Sequence, residues 1–441
     1  MLLKPEPVAR RSTAGSFGWL LSERAIRAAV AVIITGLVAR HLGPAGFGTL
    51  NTAAAAVAML LPLASLSAEA VVVRELVRRP DREREIIRTA VILRLGAGAT
   101  VFAISLGMAA FTPEIEAHLA VAALVGLSLV WQSAETPEIW FRRHLRAVHP
   151  SVARLAAFLA AAGTKLGLIA ADAGPAAFAF AYSLEGLLYG AALVTVFRAT
   201  SEAKSTAPPE RGLARRLLRE SAGLAFGGML GAVALKVDQM LVLLWLGPVA
   251  AGTYSAACRF TEIHVFVSTA LAASLYPGLA ELHARAPDEF RGRLERQFDL
   301  LLLAGWISAT AVTLAALPAV PRLFGPMYGD AVPVVAIQSA SALMLFSGVL
   351  RSQYAALTRT GWTQAVSAAV MLGTQVALGS LLIPSHGIIG AALSQGLAAI
   401  AGGWITTAIL PPLRPVLLSQ TRAFAIILMP WRWFAALQLV S

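Results

Sequence analysis

Residues 222–254 read AGLAFGGMLGAVALKVDQMLVLLWLGPVAAGTY. The run Ala222–Leu246 is apolar throughout except near its middle, where Lys236 and Asp238 stand two residues apart. About twenty such residues cross a hydrocarbon core as a helix. The run lacks strand-like alternation, and lipid offers no partner to unpaired backbone groups, so it reads as a membrane-spanning helix. Leu246-Gly247-Pro248 ends it, and Gly252-Thr253-Tyr254 opens the next apolar stretch.

Working outward, the same pattern covers most of the 441 residues. The chain is 57% hydrophobic and only 14% charged, with a mean hydropathy of +0.71. Soluble domains average about 25% charged residues. Twelve runs qualify as spans: 17–39, 46–73, 87–111, 115–140, 150–171, 175–197, 222–246, 253–279, 298–320, 332–357, 363–384 and 386–411. The fold class that follows is an all-α polytopic membrane protein of about twelve transmembrane helices. Lys4, Arg10 and Arg11 before an apolar run resemble the start of a signal peptide, but Ser22, Glu23, Arg24 and Arg27 interrupt it, so the first helix reads as uncleaved.

The net charge of +12 does not form one basic surface. It falls in clusters between spans, which is the topology signal of a membrane protein and argues against nucleic acid as a partner. Only Arg40 and Arg322 lie in the loops on one side, while the N-terminus, the alternate loops and the tail carry most of the 36 Lys and Arg. Basic loops stay cytoplasmic, so both termini are expected there, in a bacterial inner membrane. Cys258 is the single cysteine, which excludes an intramolecular disulfide.

The longest inside loop contains Lys204, Pro208, Pro209, Arg211, Arg215 and Arg216 and has the character of a linker. The halves on either side echo each other. Leu42-Gly43-Pro44 is followed by Gly48-Thr49-Leu50, and Leu246-Gly247-Pro248 by Gly252-Thr253-Tyr254, at the same spacing and each joining the first and second span of its half. The expected organisation is therefore a six-helix lobe over 1–200, a cytoplasmic linker over 201–221, a second six-helix lobe over 222–411 and a cytoplasmic or interfacial tail over 412–441. Six spans is an even number, so the repeat is parallel.

Charged residues at the centre of a span cost about 2.5–3.5 kcal/mol each on insertion scales, so those present face a partner or a cavity. Arg24 and Arg27 share a helix face, and Glu23 stands four residues before Arg27. They form either a local ion pair or part of a cavity. Arg154 and Lys165, three turns apart, suggest a cationic stripe, whereas Arg94 reads as a snorkelling side chain. Lys236 and Asp238 point to opposite sides of their helix and cannot neutralise one another. Arg259 and Glu262 are spaced as a pair. Glu185, Asp238 and Glu262 are the candidate ion-coupling or pairing groups, and Glu69, Glu135 and Glu138 read as solvated. Cations outnumber anions within the spans, which suits an anionic ligand, and the planar fork of Arg suits phosphate. Arg24, Arg27, Lys165, Lys236 and Arg259 are the candidate substrate-binding residues.

The seven histidines are scattered and no HExxH, P-loop or nucleophile elbow occurs, so no catalytic residue, metal site or cofactor is expected. His264 reads as a satisfied interhelical residue.

The run Ala39-Arg40-His41-Leu42-Gly43-Pro44-Ala45-Gly46-Phe47-Gly48, with Val73-Arg74-Glu75-Leu76 after the next span, resembles the opening of the Wzx-like polysaccharide flippases. These belong to the multidrug/oligosaccharidyl-lipid/polysaccharide exporter superfamily. Lys236-Val237-Asp238, Leu246-Gly247-Pro248, Gly252 to Ala257 and Arg259 are similar to that family's second-lobe signature. The resemblance implies a MATE-like fold of two six-helix lobes. It also implies flipping of an undecaprenyl-diphosphate-linked oligosaccharide to the periplasmic leaflet by alternating access, with Arg24, Arg27, Lys236 and Arg259 toward the diphosphate. The protein is then a transporter rather than an enzyme, acting as a monomer on a lipid-linked oligosaccharide in membrane lipid, alongside glycan-assembly enzymes. The alternatives are a drug or metabolite exporter of the same fold, a polyprenyl-linked glycan polymerase or ligase, and an inactive scaffold. The short outside loops disfavour a polymerase or ligase.

Overall fold

A computed structural model describes residues 10–110, 119–144, 146, 148–201, 210 and 212–438. Among them the chain is helical, with no strand. The main elements are α1 (Arg10–Ala64), α2 (Glu69–Arg78), α3 (Glu83–Ala110), α4 (Leu119–Gly126), α5 (Pro137–Arg143), α6 (Val148–Ala170), α7 (Pro175–Thr200) and α8 (Leu213–Arg285). After them come α9 (Pro287–Ala319), α10 (Ala331–Leu357), α11 (Trp362–Ile400), α12 (Arg414–Phe424) and α13 (Pro430–Leu437). Eight helical runs among the described residues are long and apolar enough to cross a membrane, or up to nine with the bent pair Leu119–Glu135 and Pro137–Arg143, which meet at 41°. The protein is an all-α, multi-pass membrane protein.

Three of the long helices are broken at a glycine in the left-handed region. Gly43 has φ 66° and ψ 173° in α1, Gly247 φ 79° and ψ −178° in α8, and Gly387 φ 60° and ψ −142° in α11. In the first two the next residue is proline, which forbids the helical conformation before it and suits the first turn of the helix after it. Leu-Gly-Pro is thus a stop and a start in three residues. Around Gly247 the break is a hairpin. Lys236 and Glu262 approach to 3.3 Å, and Tyr254 and Asp238 to 2.6 Å. A straight helix would hold those pairs about 39 and 24 Å apart along its axis. Gly387 is also a reversal, since a Cβ on Gly390 would lie 1.9 Å from the carbonyl oxygen of Leu382.

The second run of the sequence, 46–73, is not one helix. α1 stops at Ala64 and α2 begins at Glu69, with Leu66 (φ 56°) and Ser67 (φ 42°) left-handed between them. The helix runs two residues past Pro62, with Ser65 N–H still donating to the Leu61 carbonyl (2.8 Å), before the chain breaks. The run 115–140 is likewise interrupted: Gln132–Glu135 is a 3₁₀ turn, Pro137 starts α5, and 111–118 lie outside the described residues.

The chain divides into two compact units. One comprises 1–41 and 60–229, the other 42–59 and 230–441. In the first, Leu76, Ile86, Trp140, Phe141, Ala157 and Leu193 form a buried cluster. In the second, Phe298, Leu301, Phe346 and Leu350 pack with Leu413, Val416 and Ile426 of the tail. The tail is folded into short helical pieces. Its two short helices α12 and α13 fold onto α9, where Trp306 Nε1 donates to the carbonyl of Phe424 (3.2 Å) and Arg432 grips Asp299 with two 2.6 Å contacts from Nη2.

Candidate functional site

Three of the charged side chains singled out in the sequence meet in the second unit. Folding α8 back on itself at Gly247 carries Lys236, on the first arm, to Glu262 on the second, with Nζ 3.3 Å from Oε1. Arg259, one turn before Glu262, donates from Nη1 to its carboxylate at 3.3 and 3.5 Å. Among the described residues, one carboxylate therefore serves two cations, so these three side chains together carry one positive charge. These side chains are 28% (Lys236), 32% (Arg259) and 46% (Glu262) exposed, so none is sealed in the packed core. Arg259 also donates from Nη2 to Asn51 Oδ1, and Asn51 Nδ2 donates to the Phe47 carbonyl (2.9 Å).

Asp238 turns the other way, as its spacing from Lys236 requires. It is 1% exposed; Oδ2 accepts from Tyr254 Oη (2.6 Å), and among the described residues Asp238 makes no ion pair and Oδ1 has no partner. Beyond it, Gln338 Nε2 donates to Cys258 Sγ (3.6 Å), and Thr261 Oγ1 donates to Gln338 Oε1 (3.3 Å). His264 is fully buried, with its ring nitrogens 2.8 and 3.1 Å from the hydroxyls of Ser308 and Ser339, the interhelical role its sequence position suggests.

In the first unit Lys165 lies 3.6 Å from Glu185, joining α6 to α7. Arg154 does not continue a stripe with it. Its guanidinium donates to Glu138 Oε2 (2.5 Å) and Tyr189 Oη (2.8 Å) and stands 4.2 Å from the Tyr189 ring centre. Glu138 is consequently not a solvated end residue. It also receives Tyr189 Oη (2.6 Å) and Arg142 (2.7 Å). Arg94 does not snorkel; it is buried and donates to Thr136 Oγ1 (3.0 Å). The side chain of Arg24 lies outside the described residues, and Arg27 is half-buried on α1.

Several polar groups carry little sequence signal. Arg351, 5% exposed, directs Nη1 at the carbonyls of Gly402 (2.9 Å) and Gly403 (2.8 Å) and the hydroxyls of Thr406 (3.0 Å) and Thr407 (3.3 Å). It closes a π-helical stretch, Ala401–Ile405, whose wider turn frees carbonyls from their helical partners. Gln375 is fully buried, with neither amide atom partnered among the described residues. Asn51 and Tyr254 could be noticed only as polar groups beside the repeated Gly-Thr. No group of three metal-ligating side chains comes together among the described residues.

Ahead of α8, ion pairs tie the linker to the loop after α2. Glu210 accepts from Arg216 Nη1 (2.9 Å) and Arg79 and lies 3.7 Å from Arg82, while its backbone N–H donates to Glu85 (2.7 Å). The Arg216 hydrogen bond, with the charges of Arg216, Arg79 and Arg82, holds the Glu210 carboxyl below its ordinary range.

Residues 14–283, more than half the chain, match the family described as polysaccharide biosynthesis protein. The chain belongs to that family. A comparison with curated proteins finds no match. Among solved structures, this family member is similar to the lipid II flippase MurJ in an inward closed conformation. The TM-score is 0.68 at 10% identity, covering 95% of this chain and 96% of that one. An inward-facing multidrug-resistance MATE transporter of the MOP superfamily gives 0.65 at 13%, covering 91% and 96%. A MOP superfamily transporter from Pyrococcus furiosus, described as having a binding pocket of reverse polarity, gives 0.57 at 12%, covering 92% and 93%. At these identities the likeness establishes the fold.

Proposed function

We propose that the protein is a flippase that carries an undecaprenyl-diphosphate-linked oligosaccharide from the cytoplasmic to the periplasmic leaflet of a bacterial inner membrane. The observation that carries this reading is the convergence of Lys236 and Arg259 on the single carboxylate of Glu262. That cluster has surplus positive charge, partial exposure and an Arg fork suited to phosphate oxygens. Membership of a polysaccharide biosynthesis family supports a glycan-bearing substrate, and the likeness to a lipid II flippase supports a lipid-linked one. Arg24, Arg27 and Lys165 are proposed to add cationic contacts from the first half of the chain. Asp238, with one partnered and one unpartnered oxygen, is proposed to carry the coupling proton or ion, with Glu185 in a pairing role. Counting each of the three glycine-broken runs as two crossings, and the bent pair Leu119–Glu135 with Pro137–Arg143 as one, accords with the proposed twelve spans in two six-helix lobes, with both termini proposed as cytoplasmic. The protein is proposed to act as a monomeric transporter without catalytic chemistry.

The test is translocation of a defined lipid-linked oligosaccharide in proteoliposomes by wild type, Lys236→Ala and Arg24→Ala. Flipping by wild type that falls in both variants supports the reading. Unchanged flipping in both overturns the cationic mechanism, and no flipping by wild type overturns the function.

A further inference from the structure

The repeated Leu-Gly-Pro motifs meet in space. A Cβ on Gly48 would lie 2.0 Å from the Pro248 carbonyl oxygen and 2.7 Å from the Gly252 nitrogen. A Cβ on Gly252 would lie 1.9 Å from the Pro44 carbonyl oxygen and 3.1 Å from the Gly48 nitrogen. The contact is reciprocal: the glycine of each motif rests on the proline carbonyl of the other. Two helix starts cross backbone to backbone, an approach that only glycine allows.

The helical segment involved has an unusual allegiance. Residues 42–59 group with the second unit, although the chain on both sides of them belongs to the first. Two further anchors hold the segment there. Phe47, 1% exposed, sets its ring edge-on to Phe324 (6.2 Å) and Tyr328 (6.1 Å). Asn51 accepts the hydrogen bond from Arg259. Left-handed Gly43 breaks the backbone at the start of the segment, and the consecutive left-handed pair Leu66 and Ser67 breaks it again beyond the segment's end. Non-glycine residues persist in that region only where the surrounding structure imposes it, and such positions gather at switch segments.

We propose that residues 42–59 form a latch that docks on and releases from the second arm of α8, with Asn51 as the positioning residue linking docking to Arg259. The linkage to Arg259 rests on the reading of that residue as a headgroup contact. Arg259 spends Nη2 on Asn51 and Nη1 on Glu262. A diphosphate that takes the guanidinium competes with Asn51, so headgroup binding favours release, and by reciprocity release favours headgroup binding. The Gly48–Gly252 interlock sets how tightly the latch closes.

The test places a single reporter thiol on the latch, Ala55→Cys in a Cys258→Ser background. Ala55 is 4% exposed and shares a helix face with Gly48 and Asn51. The rate of reaction with a charged thiol reagent is measured in lipid nanodiscs. The reporter protein reacts slowly. Gly48→Ala places a methyl against backbone, and overpacking of that kind shifts an equilibrium by about five- to a hundredfold, so the thiol reacts at least about fivefold faster. Asn51→Ala also accelerates the reaction. Added undecaprenyl diphosphate accelerates the reporter protein and has little further effect on Asn51→Ala.

Equal reactivity in the reporter protein, Gly48→Ala and Asn51→Ala overturns the latch; if Gly48→Ala does not fold, Asn51→Ala decides. Binding of undecaprenyl diphosphate is followed in the same samples. Bound diphosphate that leaves the reaction rate unchanged overturns the linkage through Asn51. Absence of binding overturns the headgroup reading of Arg259, while the two ligand-free variants still decide whether the latch moves.

Discussion

Replacing Glu262 by glutamine removes the one carboxylate shared by Lys236 and Arg259 while keeping the shape of the side chain. The pairs stand at 3.3 Å, and all three side chains are partly exposed, so screening limits each pair. Unit charges at that distance interact by about 1 kcal/mol in a water-like dielectric, and exposed pairs measure about 0.2–1 kcal/mol net. In the native protein an incoming diphosphate must displace Glu262 from two cations. In Glu262→Gln that competition is gone, and a gain of up to about 1–2 kcal/mol strengthens anion binding by roughly five- to thirtyfold. The assay is equilibrium binding of undecaprenyl diphosphate to protein in nanodiscs, with thermal unfolding recorded alongside. The gain is expected to shrink as salt rises, because these charges are reached by solvent ions. Weaker or unchanged binding in a variant that remains folded refutes the argument that Glu262 guards the cationic cluster.

Three further outcomes follow from other parts of the molecule. Arg351→Met removes a buried charge-assisted donor while the carbonyls of Gly402 and Gly403 keep the hydroxyls of Thr406 (2.5 Å) and Thr407 (2.7 Å), so thermal unfolding should show a loss of about 1.5–3 kcal/mol. Arg432→Ala removes the two-fold grip on buried Asp299, and hydrogen exchange in α12 and α13 should rise while α10 stays protected. Glu210, held below its ordinary value of 4.5 chiefly by Arg216, contributes stability that is full above 4.5 and is lost as pH falls through its lower folded value. Exchange at the start of α8 should therefore rise in that acid window in wild type, and Glu210→Gln should remove the pH dependence.

Much of the architecture was legible because membranes enforce simple rules. Apolar length marks helices, and Leu-Gly-Pro carries its own physics of a left-handed glycine followed by a helix-starting proline. The repeat marked two equivalent turns. It did not announce that Gly48 and Gly252 interlock, because spacing along a chain says nothing about which turns meet. The breaks at Ser65–Ala68 and Gln132–Glu135 lie among polar residues, but membrane helices also carry Ser, Gln and Glu without breaking, so those residues alone did not mark a stop. For the charges, local spacing was a good guide where partners share a helix: Arg259 with Glu262, and Lys236 turned away from Asp238. It failed where the partner comes from another helix. Arg154 finds Glu138 and Tyr189, Arg94 finds Thr136, and Arg351 finds carbonyls freed by a π-helical turn that no residue pattern predicted.

Selection of a diphosphate headgroup by Lys236 and Arg259 is read from one comparison of rates. Translocation of a single oligosaccharide, attached either to undecaprenyl diphosphate or to an uncharged lipid of the same length, is measured in proteoliposomes for wild type and for Lys236→Met/Arg259→Met. A charge-assisted contact contributes about 1.5–3 kcal/mol, so wild type is expected to prefer the diphosphate by at least about tenfold, and the double variant to lose most of that preference. Equal rates for the two lipids in wild type, or an undiminished preference in a folded double variant, would contradict the account.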